Sequence, residues 1–496
     1  MDRSDHEPER EPARPADPGT VVTVSLISHT NAGKTTLART LLRRDVGEQG
    51  DQPHVTDVSE AYTLVECAGA ELRLWDTPGF GDSARLIKRL RQRATPLAWF
   101  LHQVWDRFRD RPLYCSQQAV RNVQTEADVV LYLVNANDDP RLVGYVDSEM
   151  EILQWIGKPV IVLLNQTGVA RAHEIERAER ERWRSHLAGY PGVREVISLD
   201  AFARCWVQEA ELLELIGGQL ADSLKPAFER LLAAWQERNL RTFRKSMGVL
   251  GRKLVESARD GEPAPEETLL NRVGLARTVV DAELQAVRQR LAARLAERTA
   301  AATSQLIALH GLEGRSARRM AQISRDHFGM PRKIDEGVWA AVGGATAGMT
   351  GGLMADLASG GLTFGGGALV AGLAGGSGGY ILAKGYNLAR GSDRQVRWSL
   401  GHFREQVQLG LLTSLAVAHF GRGRGHWQEG EEPLFWRSEV KRAIDSRLAD
   451  IDGIWKRAGR REVGEDELVS QIENLLAAIA GRVLRELYPQ AGKIGF

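Results

Sequence analysis

The feature that most constrains the fold is one junction near the start of the chain, SHTNAGKT at residues 28–35. It follows the apolar run 21–28, which has the pattern of a buried strand, and it opens 32–44, whose apolar residues recur at helical spacing. A glycine, a lysine and a hydroxyl residue at such a junction suit a phosphate group, because backbone amides and the helix N-terminus converge there. The sequence therefore predicts an anion site formed by Ala32, Gly33, Lys34, Thr35 and Thr36.

Further apolar runs predict the fold around this junction. Residues 128–136 and 159–166 are continuously apolar, which is typical of strands covered on both faces. Residues 62–67 and 71–77 are strand-like runs joined by Ala-Gly, the pattern of a hairpin. Helical patterns lie between the strands, so we expect an α/β fold with a doubly wound, mostly parallel sheet over residues 21–222.

Residues 81–126 form a stretch too long for a simple connection, and they predict a helical insertion in this domain. The stretch carries a set of apolar residues near helical spacing: Leu86, Leu90, Leu97, Phe100, Leu101, Val104 and Phe108. Such a face either packs on its own domain or meets a partner or a membrane surface, and the sequence leaves both interpretations open.

A second motif, DTPG at residues 76–79, follows the strand-like run LRLW. Asp76 can hold Mg²⁺ through a water, and the amide of Gly79 can donate to a terminal phosphate, so the loop that follows senses hydrolysis. With the two motifs in this order, the chain resembles the phosphate-loop GTPases of the translation-factor-related class, and most of all the Era/TrmE-like subgroup. The resemblance covers about residues 21–205 and implies an enzyme that binds GTP or GDP with Mg²⁺ and hydrolyses GTP.

The resemblance implies roles for individual residues near the phosphates. Lys34 reaches the outer phosphates, and Thr35 offers its hydroxyl to Mg²⁺. Thr56 is the best match for the switch threonine that closes over the metal, whereas Thr63 is a poorer match because it lies within a predicted strand. Ser28 stands where the family's loop usually begins with glycine.

Catalysis is expected to rest on positioning and charge from Lys34, Gly79 and Asn31. Phe80 stands where some GTPases place a water-orienting glutamine, and phenylalanine cannot polarise water. Asn31 occupies the position that helps to hold K⁺ in the potassium-dependent members of the subgroup, which predicts slow hydrolysis stimulated by K⁺. The alternative is that Asn31 only caps the loop.

The motif expected to recognise the base departs from the family's Asn-Lys-x-Asp pattern. The chain has Asn165 and Gln166 at its first two positions, but Gly168 stands in place of the carboxylate that accepts the guanine N–H groups. A site without that group loses selectivity against adenine. GTP remains the predicted nucleotide, with altered base specificity as the alternative.

A second base-contacting loop is expected at the end of the last predicted strand of this domain. Ser198 and Leu199 stand at the positions of the family's serine-alanine-lysine loop, and Asp200 follows them. The carboxylate of Asp200 is a candidate to compensate for the one missing at Gly168.

The rest of the chain predicts helices. Residues 1–20 are rich in proline and charge and are expected to form a disordered tail, while 223–336 and 386–496 show amphipathic helical patterns. The chain also resembles a bacterial group in which such a GTPase domain is joined to a C-terminal domain of unknown function with a glycine-rich segment.

Glycine is concentrated in one apolar segment, since 17 of the 51 glycines lie in residues 337–385. Within it, 338–383 divides into two apolar stretches, each long enough to cross a hydrocarbon core of about 30 Å as a helix. Small residues recur every fourth position, which lets two helices approach closely, and basic residues flank both ends. The segment predicts either a hairpin in the inner membrane or a buried soluble hairpin.

Charge and composition limit the partners. The net charge of +1 gives no global electrostatic case for nucleic acid, so we expect no DNA partner. RNA or ribosome binding, common in GTPases of this resemblance, is a third option, but the sequence shows neither a recognisable RNA-binding module after the GTPase domain nor a large basic excess in its favour. The N-terminus lacks an apolar signal region, which favours the cytoplasm, with inner-membrane association if the hairpin inserts. We expect a GTP switch that couples slow hydrolysis to the C-terminal helices and to an unknown protein partner or the membrane. The alternative is a nucleotide-gated scaffold with little or no hydrolysis.

Overall fold

The structure is a computed structural model. It describes residues 19–30, 32–43, 59–92, 96–102, 110–165, 173–199, 206–264, 277–312, 386–388, 395–419, 434–460, 463–488 and 494. Several sequence predictions fall outside these ranges, namely those on Asn31, Thr56, Gln166, Gly168, Asp200, the tail at 1–18 and the glycine-rich segment at 338–383.

The first part of the chain is a six-stranded sheet in the order β2-β3-β1-β4-β5-β6. Every neighbouring pair is parallel except β2 and β3, which form the hairpin predicted around Ala68-Gly69. The doubly wound α/β fold is therefore confirmed. The strands are β1 Val21–Ser28, β2 Glu60–Cys67, β3 Ala70–Asp76, β4 Val129–Asn135, β5 Val160–Asn165 and β6 Val193–Ser198.

Six helices flank this sheet along the chain. The described part of the region expected to be a helical insertion contains three of them, and the described part of the predicted apolar face is divided between two. Val104 and Phe108 of that face lie outside the described residues. Leu86, Leu90 and Phe100 are fully buried in the core on one side of the sheet, so this part of the face packs on its own domain. The helices are α1 Lys34–Leu42, α2 Ser83–Leu90, α3 Pro96–His102, α4 Arg111–Thr125, α5 Tyr145–Ile156 and α6 His173–Leu187.

The second part of the chain is a set of helices built around α8, Lys225–Arg259. Its buried residues recur every three or four positions over the whole 35-residue length, which makes one continuous apolar stripe. The stripe lies in the same core cluster as residues of β1, β3 and β4, so the sheet and the helices share one core. The other helices are α7 Trp206–Gln219, α9 Arg277–Leu309, α10 Leu400–His419, α11 Leu434–Asp445, α12 Leu448–Arg460 and α13 Glu465–Leu487.

A small antiparallel sheet interrupts the region that the sequence predicted to be helical. Its strands are β7 Gly261–Pro263, β8 Tyr386–Leu388 and β9 Gln395–Trp398, in the order β7-β9-β8. Strands of three or four residues are too short to show an alternating pattern that stands out from its surroundings. Val396 and Trp398 of β9 are nonetheless buried, against Leu291 and Leu295 of α9.

Among the described helices, none is long and apolar enough to cross a membrane. The segment 338–383, on which the membrane prediction depends, lies outside the described residues.

Candidate functional site

The candidate phosphate loop lies between the end of β1 and the start of α1, at the carboxyl edge of the sheet. Gly33 is the N-cap of α1 and has φ of 91°, a left-handed conformation that glycine adopts without strain. The helix begins at the next residue, Lys34, so its first amide groups point at this loop. The local backbone is therefore that of an anion site at a helix N-terminus.

Lys34 is buried, and its ammonium group donates a hydrogen bond to the hydroxyl of Ser28, with 2.9 Å between Nζ and Oγ. Burial lowers the pKa of Lys34, while the charges of Asp76 and Glu149 oppose that shift. Serine at the position of the family's glycine thus supplies a polar partner for the lysine. The direct contact with a neutral hydroxyl keeps the ammonium group at the loop, where its positive charge suits an anionic ligand.

Thr35 and Asp76 come together beside this lysine. The hydroxyl of Thr35 donates to Oδ2 of Asp76 at 2.6 Å. Burial raises the pKa of Asp76, and the hydrogen bond from Thr35 and the charge of Lys34 work against that rise. The other carboxylate oxygen, Oδ1, is buried and has no hydrogen-bond partner among the described residues.

These two side chains fit a magnesium ion. A hydroxyl and a carboxylate oxygen are hard ligands of the kind Mg²⁺ prefers, and Mg²⁺ commonly retains several waters beside them. A divalent cation near the orphaned Oδ1 would favour the ionised form of Asp76 and offset its burial. Thr35 and Asp76 are thus the described residues that would hold the ion.

The DTPG loop packs directly against the phosphate loop. The hydroxyl of Thr77 donates to the backbone carbonyl of Leu26 at 2.6 Å, which ties this loop to β1. A side chain at Gly79 would place its Cβ 3.1 Å from Nζ of Lys34 and 3.1 Å from Cα of Thr30. These contacts are tighter than most real Cβ contacts, so a side chain here would displace Lys34 or the backbone of Thr30 by a few tenths of an ångström. The amide of Gly79 therefore lies beside the loop that the sequence predicted to hold the phosphates.

Phe80, directly after the DTPG motif, packs into the hydrophobic core. Its amide donates to the carbonyl of Ser28 at 2.9 Å, and its side chain is fully buried with Leu86 and Leu90. The position at which some GTPases place a water-orienting glutamine therefore faces the interior here. This explains the phenylalanine as a packing residue.

Asn165, which the sequence predicts to contact the nucleotide base, is hydrogen-bonded to the phosphate loop. It ends β5, is fully buried, and donates through Nδ2 to the backbone carbonyl of Ala32 at 2.8 Å. Ser198 ends the neighbouring strand β6, and the amide of Leu199 donates to the carbonyl of Leu164. The carboxyl ends of β1, β5 and β6 thus bring the predicted residues to one edge of the sheet.

Two protein-family models match parts of the chain, and the first covers the strands and loops of this site. Residues 23–166 match the family described as 50S ribosome-binding GTPase. The first part of the chain is a GTPase domain. Residues 191–420 match a domain of unknown function, DUF3482, so a DUF3482 domain follows the GTPase domain. Binding and hydrolysis of GTP are the activity of the GTPase domain.

Solved structures with a similar fold include other GTPases. A variant of Era from Aquifex aeolicus bound to GDP and AlF₄⁻ is 20% identical, with a TM-score of 0.30, over 47% of this chain and 68% of that one. Era bound to MgGDPNP and a fragment of 16S ribosomal RNA is 19% identical, with a TM-score of 0.31, over 46% and 67%. A variant of NFeoB from S. thermophilus bound to GDP and AlF₄⁻ is 15% identical, with a TM-score of 0.23, over 47% and 73%.

The comparison with curated protein sequences finds no significant match. Likenesses of the size found among solved structures assign neither a substrate nor a partner to this chain.

The structure also places residues near the site that the sequence analysis did not single out. Glu149 of α5 is fully buried in the GTPase domain and lies 2.7 Å from His29 of the phosphate loop, measured between Oε1 and Nδ1. One signal was present in the sequence, because Glu149 lies on the apolar face of α5 with Val146 and Leu153. A charged residue on such a face requires a partner.

Proposed function

We propose that the chain is a GTP-dependent switch in which Mg²⁺-dependent hydrolysis in the GTPase domain shifts α8 and so changes its packing against the other C-terminal helices. The observation that carries this proposal is the position of α8. This one helix packs against β2 and β3, the strands between the two candidate switch segments, and also against α9, α10 and α13. A change at the nucleotide edge therefore has a direct physical route into the second domain.

A polar contact supports this route. Arg43 ends α1 with a left-handed φ of 54°, one residue before the segment 44–58 that contains Thr56. Its guanidinium donates to the side-chain carbonyl of Asn239 on α8. Asn239 is buried and also donates to the carbonyl of Trp235, so it holds its position within the helix.

Nearby, Arg238 makes a second link from α8 to the GTPase domain. Its guanidinium lies 3.5 Å from the backbone carbonyl of Leu64 on β2, in donating geometry. Arg238 and Asn239 thus fix α8 to β2 and to the end of α1, the elements on either side of the segment 44–58. We propose that GTP orders this segment and that hydrolysis releases it, which shifts α8.

Hydrolysis in this proposal depends on positioning and electrostatics. Lys34 and the amide of Gly79 bind the phosphate oxygens, and Thr35, Asp76 and Thr56 hold Mg²⁺, which would supply charge stabilisation for the transferred phosphoryl group. Since Phe80 is buried, it does not orient water. We therefore propose slow intrinsic hydrolysis, with K⁺ held beside Asn31 as an additional positive charge. Equal rates in K⁺ and Na⁺ would contradict the K⁺ part.

The coupling is tested by hydrogen exchange of α8 and α13 in the full chain, compared between GDP and a non-hydrolysable GTP analogue. We expect the two states to differ in the native protein and the difference to shrink at least severalfold in Asn239→Ala. Thr242→Ala on the same helix is the control, because its hydroxyl bonds only within α8 to the carbonyl of Arg238. Equal exchange in the two nucleotide states of the native protein would overturn the proposal.

The burial of Phe80 also supports a second candidate, a scaffold that binds GTP with little turnover. Single-turnover hydrolysis by the native protein and by Lys34→Ala distinguishes the two candidates. Equal, near-zero rates in both proteins would favour the scaffold, whereas a measurable native rate that the substitution abolishes supports the switch.

For residues 338–383 we propose contact with the inner membrane as a helical hairpin. The proposal rests on the sequence, namely on two apolar stretches of sufficient length with basic residues on both flanks. Carbonate extraction of a membrane fraction tests it. Protein found wholly in the soluble fraction would overturn the proposal and favour the buried hairpin.

A further inference from the structure

A buried cluster behind the phosphate loop connects it to the helix that follows the DTPG loop. The cluster centres on Glu149 of α5, whose side chain is fully buried. Three elements besides α5 supply its partners: His29 at the start of the phosphate loop, Tyr132 on β4 and Ser83 in the first turn of α2. A buried carboxylate is tolerated where hydrogen bonds satisfy it, so this convergence is specific.

Two residues of α5 contact the imidazole ring of His29. Its Nδ1 lies 2.7 Å from Oε1 of Glu149, and its ring stacks on Tyr145 with 4.3 Å between centroids and 16° between planes. Tyr145 and Glu149 are four residues apart on α5, which places them on the same face one turn apart. One helix therefore holds both the edge and the face of the imidazole, which fixes the ring in position and orientation.

The other side of the carboxylate reaches α2. Ser83 is buried at the first position of this helix, directly after the DTPGFGD segment, and its hydroxyl lies near enough to Glu149 to hold the pKa of that carboxyl down. Tyr132 donates to Oε2 at 2.7 Å from the middle of β4, a strand at the centre of the sheet. Glu149 is thus fixed by the sheet and lies between His29 of the phosphate loop and Ser83, which follows the DTPG loop at the start of α2.

The backbone next to His29 is where those two loops meet. His29 forms an isolated bridge with Phe80, and the neighbouring residue Thr30 has its Cα 3.1 Å from the position of a Cβ on Gly79. A displacement of His29 or of α2 would therefore move the amide of Gly79 relative to Lys34. Positioning of this kind strongly affects rate, since a misplacement of about 1 Å costs on the order of a hundredfold.

We propose that Glu149 is a positioning residue for GTP hydrolysis, which keeps the phosphate loop and the DTPG loop in register by holding His29 and Ser83. It touches no reacting atom and acts through those two residues. Burial raises the pKa of Glu149, whereas hydrogen bonds from His29, Tyr132 and Ser83 oppose the rise, so the ionised form depends on these contacts. The inference rests on hydrolysis by the GTPase domain and is independent of the proposed coupling through α8.

Single-turnover hydrolysis and GTP affinity, both measured on the full chain, test this proposal. We expect His29→Ala and Ser83→Ala each to lower the hydrolysis rate about tenfold or more while changing the GTP dissociation constant less than threefold. A role limited to folding would instead lower the melting temperature and leave the rate of the folded protein unchanged. Glu149→Gln keeps the shape but replaces one acceptor oxygen with an amide donor, so we expect it to weaken the contact with either His29 or Tyr132 and to lower the hydrolysis rate as well.

The decisive comparison is a double-mutant cycle. If Glu149 couples the two loops, His29→Ala combined with Ser83→Ala is no slower than the slower single variant, because either change already breaks the link. Ser148→Ala is the matched control, since it removes a hydroxyl from a half-buried position next to Glu149 on α5, where that hydroxyl donates to the carbonyl of Gly144, and its rate should equal the native rate.

Three results would overturn the proposal: single-variant rates within twofold of native, multiplicative effects in the cycle, or losses of affinity that parallel the losses of rate. Because Ser83→Ala is a small change at a helix start, it keeps the test available if the Glu149 variant does not fold. Absence of hydrolysis in the native protein would count against the switch itself, whereas native hydrolysis with unaffected variants would count against Glu149 alone.

Discussion

Both domains bury ionisable side chains, but they arrange them in opposite ways. In the GTPase domain the charges of Asp76 and Glu149 both act on Lys34, so charges of both signs meet at one edge of the sheet. In the DUF3482 domain the buried Lys253, His310 and His419 bond to neutral groups: the side-chain carbonyl of Gln406, the hydroxyl of Ser246 and the backbone carbonyl of Leu415. The difference indicates that the first set is arranged for a charged ligand, whereas the second set makes stability depend on pH.

The largest effect that tests this comparison is expected from Lys34→Met. The substitution keeps length and apolar volume but removes the charge that faces the phosphates, so we expect hydrolysis to fall by about 10² to 10³-fold. Single-turnover rates at saturating GTP measure the change. A native-like rate would show that this lysine is a packing residue like those of the second domain.

Acid should destabilise the DUF3482 domain first. Burial lowers the pKa of His310 to about 3 and that of His419 to about 4, whereas an unfolded histidine titrates near pH 6.5. Below pH 6.5 the unfolded chain therefore binds more protons than the folded chain, so stability falls as the pH is lowered from 6.5 towards 4. Each histidine contributes up to about 1.4 kcal/mol per pH unit in this window.

Over this pH range, the stability of the two domains should change in opposite directions as the pH is lowered. Burial raises the pKa of both Asp76 and Glu149 above the value of about 4 that such groups have in the unfolded chain, so above that pH the folded GTPase domain binds more protons than the unfolded chain, and lowering the pH favours folding. Hydrogen exchange at pH 7 and pH 5, after correction for the intrinsic rates, should show protection lost more in α9 and α10 than in β1 and β4. Equal loss in both domains, or an unchanged pH slope in His419→Gln, would contradict this explanation.

Lys253→Met makes the same substitution at the buried lysine of the DUF3482 domain. We expect it to raise the stability of the protein, whereas Lys34→Met lowers the rate of hydrolysis. Burial lowers the pKa of Lys253 to about 7, so at and below neutral pH the folded domain carries a desolvated ammonium group. Replacing a buried charge with an apolar side chain of similar size commonly stabilises a protein, and we expect about 2 kcal/mol at pH 6.5. Thermal denaturation measures it, and a lower melting temperature would show that the contact with Gln406 is worth more than the desolvation it requires.

The smallest effect is expected from Asn165→Ala. This change removes the hydrogen bond from Nδ2 to the carbonyl of Ala32 and should cost about 1 kcal/mol of stability. The substitution should also weaken GTP binding, because the phosphate loop loses its hydrogen bond to the end of β5. Binding of GTP, ATP and XTP to this variant should weaken in parallel if Asn165 acts mainly on the loop. A loss confined to GTP would instead assign it to base recognition.

The sequence predicted the fold of the GTPase domain well because its signals are local. The apolar runs of β1, β4 and β5, the Ala68-Gly69 turn and the glycine at residue 33 each determine a short piece of backbone. The joint placement of Lys34, Thr35 and Asp76 follows from the topology, since the parallel strands β1 and β3 end at one edge. These predictions needed no knowledge of distant contacts.

Contacts between distant segments were not predictable in this way. The pairing of β7 with β9 joins residues more than 130 positions apart, and three-residue strands carry no periodic signal. The contact between Arg43 and Asn239 and the cluster around Glu149 likewise depend on which helix faces lie together. A sequence can show that Glu149 lies on an apolar face, but it cannot show that His29 and Ser83 are the groups that meet it there.

The length of α8 has a mechanical consequence. At about 1.5 Å per residue its 35 residues make a rod roughly 52 Å long. If such a rod pivots where Arg238 and Asn239 join it to the GTPase domain, its longer arm extends about 30 Å into the DUF3482 domain. A tilt of about 5° at the pivot would then carry the far end through roughly 2.6 Å, a large part of the ~3.5–4.0 Å that separates carbon atoms in contact in a packed core. A tilt of α8 too small to alter the sheet could thus exchange one set of side-chain contacts for another at the C-terminal end of the helix.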